Sequence, residues 1–90
     1  MTKKLLSKNQ QENYMEYLQT FDLGAAASLI TSGFQLISLD KANPRKVQFN
    51  FLREAGIEAV LDDYWSNNLE VRARTFFDNM KMLKNRIYSE

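Results

Sequence analysis

The side chains most able to do chemistry together are three carboxylic acids in the second half of the chain. Asp62 and Asp63 form the only adjacent acidic pair, and Glu58 lies four residues before Asp62. On a helix, Glu58 and Asp62 would share one side and could bind a magnesium ion, whereas adjacent residues point about 100° apart. Because no phosphate-binding loop accompanies them, we interpret the three acids as part of a solvated helix face.

Catalysis is disfavoured because the chain contains no histidine and no cysteine. It therefore lacks the usual proton carrier near neutral pH, the thiolate nucleophile and the best zinc ligands. The serine-hydrolase motif G-x-S-x-G is absent, and so are the phosphate-binding motifs G-x-x-x-x-G-K-[ST] and G-x-G-x-x-G. The sequence predicts a protein that is not an enzyme, that uses no metal or cofactor, and that acts by binding.

Basic side chains form two clusters, although the formal net charge is only +1, from 12 basic and 11 acidic residues. So small an excess is not typical of a dedicated nucleic-acid-binding protein. The clusters could still follow a phosphate backbone, or they could serve only to keep the surface soluble. One lies in a predicted turn and the other on the last predicted helix: Lys41, Arg45 and Lys46, and then Arg72, Arg74, Lys81, Lys84 and Arg86.

Trp65 is the single tryptophan and directly follows Tyr64. Tyr64 continues an apolar helical stripe, so Trp65 must point away from that stripe. An exposed tryptophan can stack on a nucleobase or anchor a protein interface. The alternative is that Trp65 covers the junction with the last helix and is mostly buried.

Ninety residues fit one domain, and we expect a basic leader at residues 1–6 followed by a single domain at residues 7–90. Ser7 and Gln10 have the spacing of a capping box, and Tyr14, Leu18 and Phe21 recur on one helical stripe. These patterns predict a first helix over residues 7–19.

A second helix is predicted from the apolar spacing of residues 23–30. Thr20 or Asp22 is its expected N-cap, and Gly33 is its expected C-terminal cap. Residues 34–39 are rich in strand formers, and residues 47–51 alternate between apolar and polar side chains. With a turn at Asn43 and Pro44 between them, the two runs predict a β-hairpin whose dry face carries Val47, Phe49 and Phe51.

Two further helices follow. Apolar residues at 57, 60, 61 and 64 predict a third helix of about two turns. The last helix has the strongest pattern, with one predicted apolar face over about four turns: Ala73, Phe76, Phe77, Met80, Leu83 and Ile87.

The predicted fold class is α+β, in the order helix, helix, β-hairpin, helix, helix, with the helices packed on one face of a two-stranded antiparallel hairpin. Two strands alone form a marginal sheet with unpaired edges. A second copy could pair with such an edge, so a homodimer through a strand edge is one expected arrangement. No stretch resembles a signal peptide or a membrane span, and we expect a soluble cytoplasmic protein without membrane contact.

Several short patterns resemble a small bacterial and phage family catalogued as a domain of unknown function. The resemblance covers about residues 20–88 and leaves the first predicted helix as an extension. It is carried by these segments: Thr20-Phe21-Asp22-Leu23, Ala26-Ala27, Leu29, Gly33, Arg45, Val47-Gln48-Phe49-Asn50-Phe51, Tyr64-Trp65, Val71 to Phe76, and Leu83-Lys84-Asn85-Arg86-Ile87-Tyr88. The resemblance implies a small accessory protein of a phage or mobile element.

Two functional hypotheses follow. In the first, the protein is associated with DNA or RNA: the two basic clusters contact phosphates and Trp65 stacks on a base. In the second, it is a protein-binding module, either a homodimeric adaptor or an inhibitor of a host or phage protein. That module would use the strand edge at residues 34–39 or an apolar patch around Trp65 and Tyr88.

Overall fold

The computed structural model of the protein describes residues 16–89. Three helices and three strands confirm the α+β class. In chain order they are β1 (Tyr17–Thr20), α1 (Leu23–Thr31), β2 (Leu36–Asp40), β3 (Gln48–Leu52), α2 (Ile57–Trp65) and α3 (Ala73–Tyr88). The predicted leader at residues 1–6 and the capping box at Ser7 and Gln10 lie outside the described residues.

The sheet has three antiparallel strands in the order β1-β3-β2. The predicted pairing of β2 with β3 is present, and the alternation along β3 directs Phe49 and Phe51 into the core, where both are fully buried. The prediction of a two-stranded sheet is wrong, because β1 pairs with the other side of β3. The outer edges of the sheet therefore belong to β1 and β2.

The first predicted helix is wrong at its C-terminal end, where Tyr17–Thr20 forms β1. Leu18 is buried opposite Phe51, whereas Tyr17 and Gln19 are exposed, so the segment has the period-two pattern of a half-buried strand. The predicted order of elements is wrong for the same reason. The described fold begins with an edge strand that pairs with β3, the central strand of the sheet.

Helix α1 begins and ends as its sequence predicts. The Asp22 carboxylate accepts a hydrogen bond of 2.7 Å from the backbone N–H of Ala25, which satisfies one free donor of the first turn. At the other end, Gly33 has a φ of +99°, its N–H donates to Ile30, and the N–H of Phe34 donates to Leu29. This Schellman arrangement needs a left-handed residue, which glycine adopts without a steric cost.

The core lies between the sheet and the three helices, with α1 packed against both α2 and α3. Its buried members are Leu18, Ala26, Ala27, Leu29, Val47, Phe49, Phe51, Ile57 and Leu83. The apolar face predicted for α3 is too wide: Leu83 is buried and Phe76 packs against the core, but Phe77 is 56% exposed. No helix in residues 16–89 combines the length and the apolar composition needed to cross a bilayer.

Candidate nucleic-acid interface

The exposed side of α3 combines aromatic and basic side chains. Phe77, Lys81, Lys84 and Tyr88 occur at spacings of four, three and four residues, which puts them on one side of a helix. All four are exposed, Tyr88 by 83%. The Lys81 ammonium lies 5.4 Å from the centre of the Phe77 ring, within cation–π distance. We call these four residues the α3 stripe.

The hairpin turn contacts the C-terminal end of α3. The Lys41 ammonium donates hydrogen bonds to the backbone oxygens of Arg86, at 3.0 Å, and Ser89, at 2.8 Å. A cation at this position satisfies carbonyl groups that have no partner within the helix and interacts favourably with the helix dipole. The structure therefore brings the predicted turn cluster to the end of the predicted helix cluster, although Lys41 has a structural role there.

Arg45 and Lys46, the other two basic residues of the turn, have side chains in different surroundings. Arg45 is exposed. The Lys46 ammonium lies 4.7 Å from the centre of the Phe21 ring, in a cation–π contact with the residue that follows β1. Of the predicted turn cluster, Arg45 is thus the residue whose side chain forms no hydrogen bond, ion pair or cation–π contact within residues 16–89, and it faces solvent.

The remaining predicted residues lie along α3 or before it. Arg72 is the N-cap residue, and Arg86 is on the last turn, about 20 Å away at the helical rise. Arg74 forms an exposed ion pair of 3.4 Å with Asp78, four residues later. Between Ala73 and Tyr88 there are four basic side chains and one acidic side chain, so α3 is locally basic in a nearly neutral protein.

Trp65 lies at the C-terminal end of α2 and is 61% exposed, so of the two alternatives for its position the structure has the exposed one. Its ring meets the Tyr64 ring edge to face, with centres 4.9 Å apart. Tyr64 lines a cavity together with Phe76, near the start of α3. Tyr88 is twelve residues beyond Phe76, about 18 Å along the helix, so the structure does not bring Trp65 and Tyr88 into one patch.

Glu58, Asp62 and Asp63, the acidic residues that could bind magnesium, do not form a metal-binding cluster in the described fold. The Glu58 carboxylate forms an ion pair with Arg53. Within residues 16–89, no group of three or more acidic side chains is positioned to hold a metal ion.

Tyr64 and Asp22 connect α2 to the start of α1. The Tyr64 hydroxyl donates a long hydrogen bond of 3.4 Å to the same Asp22 oxygen that caps α1. Gly24 permits this approach, because a Cβ atom there would lie 2.1 Å from the Tyr64 hydroxyl oxygen. Burial, then the Asp22 charge, then the hydrogen bond to Asp22 raise the pKa of Tyr64 above its usual value of 10.0.

This raised pKa predicts a specific loss of stability in alkaline solution. The pKa of Tyr64 is higher in the folded than in the unfolded state. The contribution of Tyr64 to the free energy of unfolding is therefore complete below pH 10.0 and is lost as the pH rises through the raised pKa. Urea unfolding from about pH 9 to pH 11 should show a steeper loss for the wild-type protein than for Tyr64→Phe. Tyr88→Phe, at an exposed site, should behave as the wild type. Equal slopes for wild type and Tyr64→Phe would contradict the assignment.

Sequence reasoning puts Lys84 in the basic cluster of the last helix but misses Phe77 and Tyr88 as members of the same exposed stripe. The apolar pattern of α3 instead predicts Phe77 on the same face as Phe76. At 100° per residue, however, Phe77 lies about 120° around the helix from the buried Leu83, close to the angular position of Lys81 and Lys84. This angle can be calculated from the sequence alone, and it places Phe77 on the same side of the helix as the charged side chains.

The sequence matches the family described as a domain of unknown function (DUF5659) over residues 15–89. The chain belongs to this family. The matched range coincides closely with the residues 16–89 that the structure describes, so β1 is part of the family's domain and not an extension of it. No curated protein and no solved structure gives a significant match to the chain.

Proposed function

We propose that this member of the family binds nucleic acid without catalysing a reaction, through the exposed side of α3. The observation that carries the proposal is the α3 stripe, in which two lysines lie between two exposed aromatic rings. Lysines attract phosphates whatever the base sequence, and aromatic rings stack on unpaired bases. A surface that does both is typical of proteins that bind single strands.

The dimensions of the basic surface suit a short segment of nucleic acid. Arg74, Lys81 and Lys84 lie within about 80° of one another around α3 and cover about 15 Å of its length, whereas Arg72 and Arg86 are on the opposite side of the helix. Lys41 contacts the backbone of the last turn of α3, so the hairpin turn lies near the C-terminal end of the helix. Arg45, which is exposed in that turn, would add a further phosphate contact. Trp65, near the start of α3, would add a further stacking ring.

The proposal includes a biological role as a small accessory protein of a phage or mobile element. The support is the resemblance of the sequence segments to a phage and bacterial family, together with an exposed surface of basic and aromatic side chains on α3. Such a protein would act by occupying or protecting a strand.

The test measures binding of labelled single-stranded DNA, double-stranded DNA and RNA as a function of salt concentration. The double variant Lys81→Gln/Lys84→Gln should lower the slope of log affinity against log salt by about 2, because each phosphate contact contributes about 1. Arg53→Gln is the control, since Arg53 is paired with Glu58 away from α3 and should leave the slope unchanged. Absence of binding at low salt and micromolar protein would overturn the proposal.

A protein-binding module is the second candidate, favoured by two other observations. β2 is an edge strand of the sheet with Ile37 exposed, and Trp65 is exposed at the end of α2. An edge strand can pair with a strand of a partner or of a second copy, and exposed tryptophans often anchor interfaces. The assay above separates the candidates, because association through these groups would tolerate salt and would not depend on Lys81 or Lys84.

A further inference from the structure

The last turn of α3 ends differently from the last turn of α1. Helix α1 closes with Gly33 in a left-handed conformation, and its final carbonyl groups accept hydrogen bonds from the residues that follow. Ser89, the residue after α3, has instead an extended conformation, with a φ of −88° and a ψ of 163°, and residues 84–90 contain no glycine. The carbonyl groups at the end of α3 therefore need donors other than those of a left-handed turn.

Lys41 supplies such donors from the hairpin turn. Its ammonium group lies 3.0 Å from the backbone oxygen of Arg86 and 2.8 Å from that of Ser89, so it bridges the two ends of the last turn. Two of the three N–H donors of the ammonium group are used in these contacts. The Ser89 hydroxyl also donates to the Arg86 oxygen, at 3.1 Å. Lys41 is thus joined to the backbone on both sides of Tyr88, the last residue of α3.

The segment that carries Lys41 is held in place without α3. Lys41 directly follows β2, and the Asp40 carboxylate accepts a hydrogen bond of 3.0 Å from the N–H of Ala42, on the other side of Lys41. Further along the turn, the Asn43 side-chain oxygen accepts a hydrogen bond of 3.0 Å from the N–H of Arg45. Asp and Asn side chains commonly stabilise turns in this way. Lys41 is therefore presented to α3 by a turn with its own local support.

Tyr88, by contrast, depends on the backbone of the last turn. Its side chain is 83% exposed, whereas the preceding Ile87 packs against the core. In a helical conformation, Tyr88 lies about 16 Å along α3 from Phe77 and about 20° around it, because eleven residues separate them. If the last turn unwinds, Tyr88 leaves this line, while Phe77, Lys81 and Lys84 keep their places.

We propose that Lys41 is a positioning residue of the strand-binding surface: it keeps the last turn of α3 helical, so that Tyr88 stays beside Lys84 and stacks on a base. Lys41 acts on binding through Tyr88 and does not contact a phosphate. The proposal rests on the proposed function, because the stacking partner is an unpaired base of a DNA or RNA strand. It also separates the roles within the turn cluster, where the exposed Arg45 is the phosphate contact.

The two possible roles of Lys41 predict different effects of removing its ammonium group. The loss of a phosphate contact lowers the slope of log affinity against log salt by about 1. The loss of a positioning contact instead lowers the fraction of protein whose last turn is ready to bind, and the affinity falls by that fraction at every salt concentration. This second effect requires the Tyr88 ring, so it disappears when the ring is absent.

The experiment is a double-mutant cycle, measured by the binding of a labelled oligo(dT) strand over a range of salt concentrations. Lys41→Met keeps an unbranched side chain but removes the donors, and it should weaken binding about threefold without changing the salt slope. Tyr88→Ala should weaken binding about fivefold or more, the effect of losing one stacked base. Lys41→Met/Tyr88→Ala should bind no more weakly than Tyr88→Ala alone, whereas independent effects would multiply to about fifteenfold.

Lys46→Met is the matched control, since it removes the same group from the same turn. The Lys46 ammonium contacts the Phe21 ring and not the backbone of α3. Any effect of Lys46→Met on binding should therefore multiply with that of Tyr88→Ala, which corrects for the long-range attraction that both lysines exert on a strand. In NMR spectra of the free protein, Lys41→Met should reduce the helical chemical shifts of residues 85–88, and Lys46→Met should leave them unchanged.

The role of Lys41 is overturned if its effect multiplies with that of Tyr88→Ala, or if Lys41→Met lowers the salt slope by about 1, because Lys41 would then act on the strand directly. Unchanged binding by Lys41→Met would also overturn it, even if the chemical shifts of residues 85–88 change, because the contact would then be merely structural.

The function proposed for α3 fails in a different way. Strand binding would then be absent, or it would not depend on Lys81→Gln/Lys84→Gln, and the role of Lys41 would be overturned with it. Binding that depends on Lys81 and Lys84, but in which Lys41 and Tyr88 contribute independently, would overturn only the role of Lys41.

Discussion

Phe51→Ala is expected to lower the free energy of unfolding by about 3–5 kcal/mol. Phe51 is fully buried in the middle strand of the sheet, opposite Leu18 of β1 and Leu36 of β2. Its removal would leave a cavity where the sheet meets the helices, and neighbouring strands held by hydrogen bonds could close it only in part. Because a chain of this size has a stability towards the lower end of about 5–15 kcal/mol, urea unfolding followed by circular dichroism should show a largely destabilised protein.

Phe77→Ala is the matched control, since it removes the same side chain from an exposed position. Phe77 is 56% exposed on α3, and its contact with Lys81 is of a kind worth about 0.5–1 kcal/mol. We expect a loss of no more than about 1 kcal/mol. A loss as large as that for Phe51→Ala would mean that Phe77 is a core residue, as the apolar pattern of α3 alone predicts.

The elements that the sequence predicts correctly are those fixed by local chemistry. Asp22 caps α1 through a side chain three residues from its partner, and Gly33 ends the helix through a φ that few other residues adopt. The alternation around Phe49 and Phe51 marks β3 within five residues. In each case the cause lies in a short window, so a single sequence contains the whole signal.

The elements predicted wrongly depend on distant partners. Leu18 fits an apolar stripe with Tyr14 and Phe21, yet it also fits an alternating strand, and the pairing that decides between them is with Phe51, 33 residues later. Local periodicity cannot detect such a partner. The predicted face of α3 was wrong for a related reason, because adjacent apolar residues such as Phe76 and Phe77 can lie on opposite sides of the boundary between core and solvent.

The candidate sites also have parts that the local sequence predicts and parts that depend on contacts between distant residues. The basic residues of α3 are evident from composition and spacing, but the contact of Lys41 with the end of α3 joins residues 45 positions apart and needed the fold.

Because Tyr17–Thr20 forms a strand, Leu18 and Phe21 should contribute very differently to the stability of the fold. Leu18→Ala should lower the free energy of unfolding by about 2–5 kcal/mol, because Leu18 is buried against β3. Phe21→Ala should lower it by no more than about 1 kcal/mol, because Phe21 lies beyond the strand, is 51% exposed and contacts the Lys46 ammonium. Chemical unfolding of the two variants beside the wild type measures both values.

If residues 7–19 formed a helix, Phe21→Ala would be expected to cost at least as much stability as Leu18→Ala. On its stripe, Leu18 and Phe21 would pack side by side against the core, and the larger aromatic side chain would cost at least as much to remove as the leucine. A strand buries alternate residues, so Leu18 is directed inwards while Tyr17 and Gln19 are not. A difference of about fivefold or more in the unfolding equilibrium constant, with Leu18→Ala the less stable protein, is therefore the signature of β1, and equal losses for the two variants would exclude it.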